Sequence, residues 1–155
     1  MNNVVVNAEE VPLPPWSDSL CGFALKVLDE TACENWELSF LLCGNKTITA
    51  LNTQYRNMAE PTDILSFNLG VKEQYGGETV YLPGDIVISL ETLNENARYF
   101  KIPEDEELRR LVIHGILHLK GMDHETAEKN EPMLKLQEDI LNRLKDIHIL
   151  PGGQQ

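Results

Sequence analysis

HGILHLKGMDH, residues 114–124, holds three of the four histidines of a 155-residue chain. Read as a helix running to about residue 120, it places His114 and His118 one turn apart, with Cβ atoms about 5–6 Å apart on one face. At that spacing two imidazoles reach one metal ion. Gly121 is the helix stop, and the chain reversal that follows lets His124 swing back as a third ligand. Three protein ligands leave a fourth position open for water or substrate, which is the layout of a catalytic zinc site. Leu111, Val112, Ile113, Ile116, Leu117 and Leu119 cover most of the circumference, so the helix is expected to be central and buried. Imidazoles on a buried helix need partners, and a metal provides one. The plainer reading, three ordinary core or surface histidines, does not account for this spacing around a glycine stop.

Working outward, Pro103 opens this helix, and the acidic run at residues 104–107 suits its positive N-terminal end. A last amphipathic helix is expected over residues 127–147, followed by a frayed tail. Upstream, helical spacing of Leu20, Phe23, Ala24, Val27, Leu28 and Thr31 marks a helix over residues 17–32, with Ser17 as its N-cap. Asn45 is a candidate cap for a second helix carrying Ile48, Leu51 and Tyr55 on one side. Pro61 ends that region, and residues 91–100 form a further helix. Strands are expected at residues 3–7, 36–43, 63–69 and 85–90. The glycine- and proline-rich stretch GVKEQYGGETVYLPG between the last two reads as a long mobile hairpin or flap. Interleaved strands and helices give an α+β fold: a small four-stranded mixed sheet packed with about five helices, with the metal site on a central helix. Nothing divides residues 1–155 into more than one domain.

With 42% hydrophobic and 25% charged residues, the composition is that of a soluble globular protein. The beginning, MNNVVVNAEEVPLPPW, lacks the features of a signal peptide. No apolar run reaches the roughly 18 residues of a spanning helix. The expectation is a cytoplasmic protein without a membrane partner. Cys21, Cys33 and Cys43 are odd in number and widely spaced, so they read as small buried hydrophobes rather than a disulfide framework. The net charge of −12 argues against non-specific binding of nucleic acid by the whole surface, though not against a local basic cleft.

The spacing H-x3-H-x2-G-x2-H is shared with the metzincin proteases, whose general-base glutamate follows the first histidine. Here that position is Gly115. The metal cage is present and the protease base is absent, so peptide hydrolysis is disfavoured. The whole motif instead closely resembles the H-G-x-L-H-L-x-G-[YM]-D-H signature of the YbeY family of bacterial rRNA maturation endoribonucleases. Three further blocks agree in order and spacing. Leu51, Asn52, Tyr55 and Arg56 match L-N-x-x-Y-R. Residues 61–67, PTDILSF, match P-T-D-V-L-S-F. Residues 82–89, LPGDIVIS, resemble an L-G-D-I-x-I-S strand. The resemblance covers about residues 35–145. Asn68 departs from the proline that many members carry there, and residues 1–30 carry no usable signature.

The resemblance implies a metal-dependent, single-strand-specific endoribonuclease acting in 16S rRNA 3′-end maturation and ribosome quality control. Its implied partners are single-stranded rRNA, small ribosomal subunit proteins and assembly factors. It implies His114, His118 and His124 as metal ligands, one zinc ion per chain, and Arg56 as the functional arginine of the cleft, with catalytic roles for Arg56 and His114. Three nitrogens suit Zn²⁺, while Ni²⁺ or Cu²⁺ can compete. From the residues alone, Arg56 reads equally as an anion-holding guanidinium or as a basic residue satisfying a helix C-terminus. Arg110, one turn before His114, either extends a positive rim or pairs with Glu106 or Glu107, the commoner case. Asp123 is expected to orient a ligand or cap the turn, with Glu125 on the other side of His124. Asp63 and Asp85 are either general-base candidates or turn residues. For RNA to bind so acidic a chain, Arg56, Arg110, Lys46 and Lys72 would have to form a positive trough with the metal. A non-catalytic ribosome-assembly factor with a structural metal is the alternative, and a closed four-ligand site would mark it.

Overall fold

Alternation builds the sheet. In the strand ELSFLLC, Leu38, Phe40 and Leu42 are fully buried on one face, while Leu41 points to the other. In a computed structural model of the chain, which describes residues 1–124, 128 and 131–151, this strand is β2 (Glu37–Cys43). Its companions are β1 (Asn3–Ala8), β3 (Ile64–Tyr75) and β4 (Glu78–Ser89). The sheet order is β1-β2-β4-β3. β1, β2 and β4 run parallel, and β3 runs antiparallel to β4 along one edge. The mixed four-stranded sheet expected from the sequence is therefore present.

Five helices surround it: α1 (Ser17–Glu30), α2 (Asn45–Arg56), α3 (Leu90–Phe100), α4 (Glu104–Leu119) and α5 (Pro132–Arg143). The large core joins α1, α4 and α5 to the face carrying Leu38, Phe40, Ile86 and Ile88. A smaller core of Cys43, Ile48, Leu65 and Val87 lies under α2, on the opposite face. All three cysteines are free. The expected boundary of the last helix at residue 127, and most of the tail, fall outside the described residues.

Of the two forms expected for the stretch between β3 and β4, a long hairpin or a flap, the structure has the hairpin. Both strands continue in register to Tyr75 and Glu78. They are joined by Gly76 and Gly77, both at positive φ (54° and 89°). A two-residue turn with φ > 0 at both positions matches the right-handed twist of the strands. The glycine pair was thus a tight-hairpin signal, diluted by Gly70, Pro83 and Gly84 around it.

α4 is held in place at two points. Along its length, Leu108, Val112, Ile113, Ile116 and Leu117 are fully buried, each burial contributing about 1.5–3 kcal/mol relative to exposure. At its first turn, the fully buried Asp105 accepts hydrogen bonds from the backbone N–H groups of Ile149 and Leu150, both at 2.8 Å. It also receives Arg109 Nε at 2.8 Å and His148 Nδ1 at 3.0 Å. Burial alone would raise the Asp105 carboxyl, but these donors hold it below its ordinary value. The acidic start of α4 is therefore more than a dipole complement, because one of its carboxylates anchors the chain that follows α5. Asp105→Ala leaves Arg109 and two backbone donors without their acceptor, and it is expected to cost about 3–5 kcal/mol. The shift in urea midpoint measures this, and a loss below about 1 kcal/mol would show that the anchor is redundant.

Candidate metal centre

α4 ends as its sequence requires. Gly121 takes φ +98°, its N–H reaches the His118 carbonyl at 2.9 Å, and the Met122 N–H reaches that of Leu117 at 3.0 Å. This pair of bonds is the Schellman arrangement, and it turns the chain back toward the helix. His124 returns beside the two helical histidines, its backbone N–H donating to Asp123 Oδ1 at 2.8 Å. Asp123 thus caps this turn, one of its two expected roles. One potential ligand atom from each of His114, His118 and His124 lies within 4.8 Å of the others. Among the described residues, no fourth His, Cys, Asp or Glu joins this group.

The donor chemistry fits a metal. His114 Nδ1 lies 2.6 Å from Oε1 of the buried Gln137 on α5. Gln137 Nε2 donates to Glu138 at 3.1 Å, so its Oε1 faces the imidazole as an acceptor. His114 therefore carries its proton on Nδ1 and its lone pair on Nε2. That Nε2 lies 3.0 Å from His118 Nε2, a separation that requires a proton or a cation between them. Burial pushes the pKa of both imidazoles down, and for His118 the neighbouring His114 adds to the effect. The neutral form is the one that offers a lone pair to a divalent ion. Gln137 carries no signal in the sequence, since its contact spans 23 residues.

Gly115 faces away from this cluster and onto the sheet. A Cβ there would lie 2.8 Å from Ile86 Cδ1 and 3.2 Å from Ile64 Cδ1. The glycine is a packing requirement, and a glutamate at this position would point into an apolar contact rather than at the histidines.

His114 and His118 open onto a cleft of about 1410 Å³. Arg56, the last residue of α2, lines it together with His114 and His118. Asn57 ends α2 in the left-handed conformation. The buried Asn52 donates from Nδ2 to the Glu60 carbonyl at 3.0 Å, holding the loop that follows Arg56. Asp63 and Asp85 also line the cleft. Burial raises the Asp63 carboxyl despite nearby backbone N–H groups and the field of His114.

Arg110 is not part of the cleft lining. Its guanidinium is clamped by Glu106 and Glu107 at 3.0 Å and by Glu138 at 2.9 Å, which hold it charged against burial. The positive trough is not built either. Of Arg56, Arg110, Lys46 and Lys72, only Arg56 lines the cleft. It stands against Glu9, Asp63, Asp85 and Asp123, and one divalent ion would not make this lining cationic.

Two imidazoles from a buried helix and a third from the turn that follows it converge closely enough that they could hold one metal ion. The family model of Endoribonuclease YbeY matches residues 10–145, and the chain belongs to that family. The match reaches further toward the N-terminus than the motifs did. Proteins named Endoribonuclease YbeY include one from Treponema pallidum strain Nichols, 44% identical over 142 residues, covering 91% of this chain and 89% of that one. Another, from Borrelia turicatae, is 42% identical over 141 residues, covering 90% and 93%. A solution structure of a Thermotoga maritima protein superposes with a TM-score of 0.62 at 28% identity, over 94% of this chain and 90% of that chain.

The raised Asp63 pKa has a thermodynamic consequence. The folded state binds this proton more tightly than the unfolded state, so the contribution to stability is full below the unfolded pKa and is lost as pH rises through the folded one. In chelator, Asp63→Asn should therefore match wild type below about pH 3, where the carboxyl is protonated in both states, and become progressively more stable than wild type toward pH 7. Parallel stability curves across that range would contradict the assignment.

Proposed function

We propose that this chain is a metal-dependent endoribonuclease, a hydrolase that cuts single-stranded RNA, with His114, His118 and His124 as ligands of one zinc ion. The observation that carries the reading is the three-histidine group, of which His114 and His118 line the same cleft as Arg56, in a chain of the Endoribonuclease YbeY family. Nickel or copper can replace zinc at three nitrogens. The absence of a fourth ligand among the described residues favours an open, catalytic site over the structural metal of a non-catalytic assembly factor. Gly115, turned onto the sheet, leaves no protease base at that position.

A divalent ion bound by the three imidazoles supplies Lewis-acid stabilisation for the negative charge that a phosphodiester gathers as it is cleaved. Arg56 holds phosphate oxygens with its planar fork and fixes the scissile group in the cleft. His114 presents Nε2 to the centre because Gln137 accepts the Nδ1 proton and sets the tautomer. The Gly121 turn brings His124 into reach. The proposed substrate is the 3′-end precursor of 16S rRNA, with ribosome quality control as the wider role. Small ribosomal subunit proteins and assembly factors are the proposed partners, in the cytoplasm. The four motif blocks support this finer reading, and the three free cysteines suit a reducing compartment. No helix of the structure is long and apolar enough to cross a membrane.

Cleavage of a labelled single-stranded 16S 3′-end precursor tests the proposal. Wild type should cut, chelator should stop it, and zinc should restore it. Arg56→Ala, folded and metal-loaded, should lose about 10²–10³ in kcat, and His114→Ala should lose both metal and activity. Equal cutting by all three preparations would overturn the reading. Gln137→Leu should weaken zinc binding by roughly 10–100-fold in a chelator competition, and unchanged affinity would remove Gln137 from the centre.

A further inference from the structure

A groove for single-stranded nucleic acid ordinarily tracks the phosphates with lysine and arginine. Among the described residues, this cleft has Arg56 alone against Glu9, Asp63, Asp85 and Asp123. A grip on RNA must then draw on something other than backbone charge, and the cleft lining supplies it. Tyr55, one residue before Arg56 in the last turn of α2, lines the cleft and is 60% exposed. The ring of Phe67 on β3 meets it edge-on, with centroids 5.0 Å apart and planes at 64°. Phe67 is in turn seated on the small core under α2. Tyr55 is thus braced by an anchored ring without being buried by it. An aromatic ring held rigid and left open, adjacent in sequence to the guanidinium proposed to hold the scissile phosphate, has the chemistry that recognises one nucleotide, a π-face for the base and a cation for the phosphate.

We infer that Tyr55, braced by Phe67, is a stacking platform for an unpaired base next to the scissile phosphate, and that this cleft holds single-stranded RNA chiefly by its bases. The inference rests on the endoribonuclease reading. It explains how an acidic cleft can accept RNA, and it favours single strands, because a base within a duplex has no free face to offer. It also implies tolerance of base identity, since every base has such a face.

The test uses metal-loaded protein and a fluorescein-labelled, nuclease-resistant 2′-O-methyl phosphorothioate decamer, read by anisotropy, with cleavage of an unmodified strand assayed in parallel. Tyr55→Ala should weaken binding roughly 5- to 150-fold, the range for loss of one stacked base, while Tyr55→Phe should stay within about twofold of wild type. Decamers carrying one abasic site at successive positions should include one that binds wild type more weakly but Tyr55→Ala no more weakly than the intact strand does. That pairing is what a merely structural role would not produce. The salt dependence should be shallow, with a log–log slope of about −0.7 to −1.4, the value for one or two phosphates. Cleavage by wild type together with unchanged binding by Tyr55→Ala, or a steep salt slope, would overturn the inference and leave the endoribonuclease reading standing. Neither binding nor cleavage by metal-loaded wild type would overturn both. Displacement of bound decamer by a lysine-rich decapeptide from Tyr55→Ala as readily as from wild type would also remove Tyr55 from the grip.

Discussion

Everything at the centre depends on how closely α4 lies against the sheet. At Gly115 an added Cβ would come within 2.8 Å of Ile86 Cδ1 and 3.2 Å of Ile64 Cδ1, so any side chain there would force these isoleucines to shift. On an α-helix successive residues are about 100° apart. With residue 115 turned onto the sheet, His114 and His118 are both carried round to the side that opens into the cleft. A larger residue would displace the Ile86 and Ile64 side chains or the helix that carries both imidazoles. The packing contact and the ligand geometry are therefore one constraint. The glycine that separates this motif from a protease sequence is explained by steric contact before any chemistry is considered.

Around that contact, distant segments converge on the same few atoms. Asp105 ties the start of α4 to the chain after α5, and Gln137 on α5 fixes the tautomer of His114. Arg110, beside them on α4, is occupied by three carboxylates, including Glu138 next to Gln137. α5 thus bears on the centre from one side, while α2 delivers Arg56 and Tyr55 from the opposite face of the sheet. The cleft is lined by residues of all four strands together with α2, α4 and the turn after α4.

What could be read in the chain beforehand was what local rules encode. The end of the helix, its glycine stop and the histidine spacing lie within eleven consecutive residues, so periodicity and turn chemistry were enough to place them. The mixed sheet followed from the order of strands and helices, and a hairpin or flap was expected after β3, although flanking glycines and a proline masked the tight Gly76–Gly77 turn that makes it a hairpin. Arg56 was ambiguous by composition, and only the family resemblance raised it above a helix-end arginine. Asp105, Gln137 and Tyr55 were passed over as functional or anchoring residues. The partners of Asp105 and Gln137 lie up to 45 residues away, and the exposure of Tyr55 depends on how α2 meets β3. The expected positive trough failed for the same reason, because sequence position says nothing about which lysines share a surface.

The central claim is an open metal centre of three imidazoles. X-ray absorption at the zinc edge of the zinc-loaded protein tests it most directly. About three nitrogen neighbours at roughly 2.0–2.1 Å with imidazole scattering, plus one light atom from solvent, are expected. A sulfur neighbour, or a fourth protein ligand closing the coordination sphere, would contradict it and make the metal a structural one.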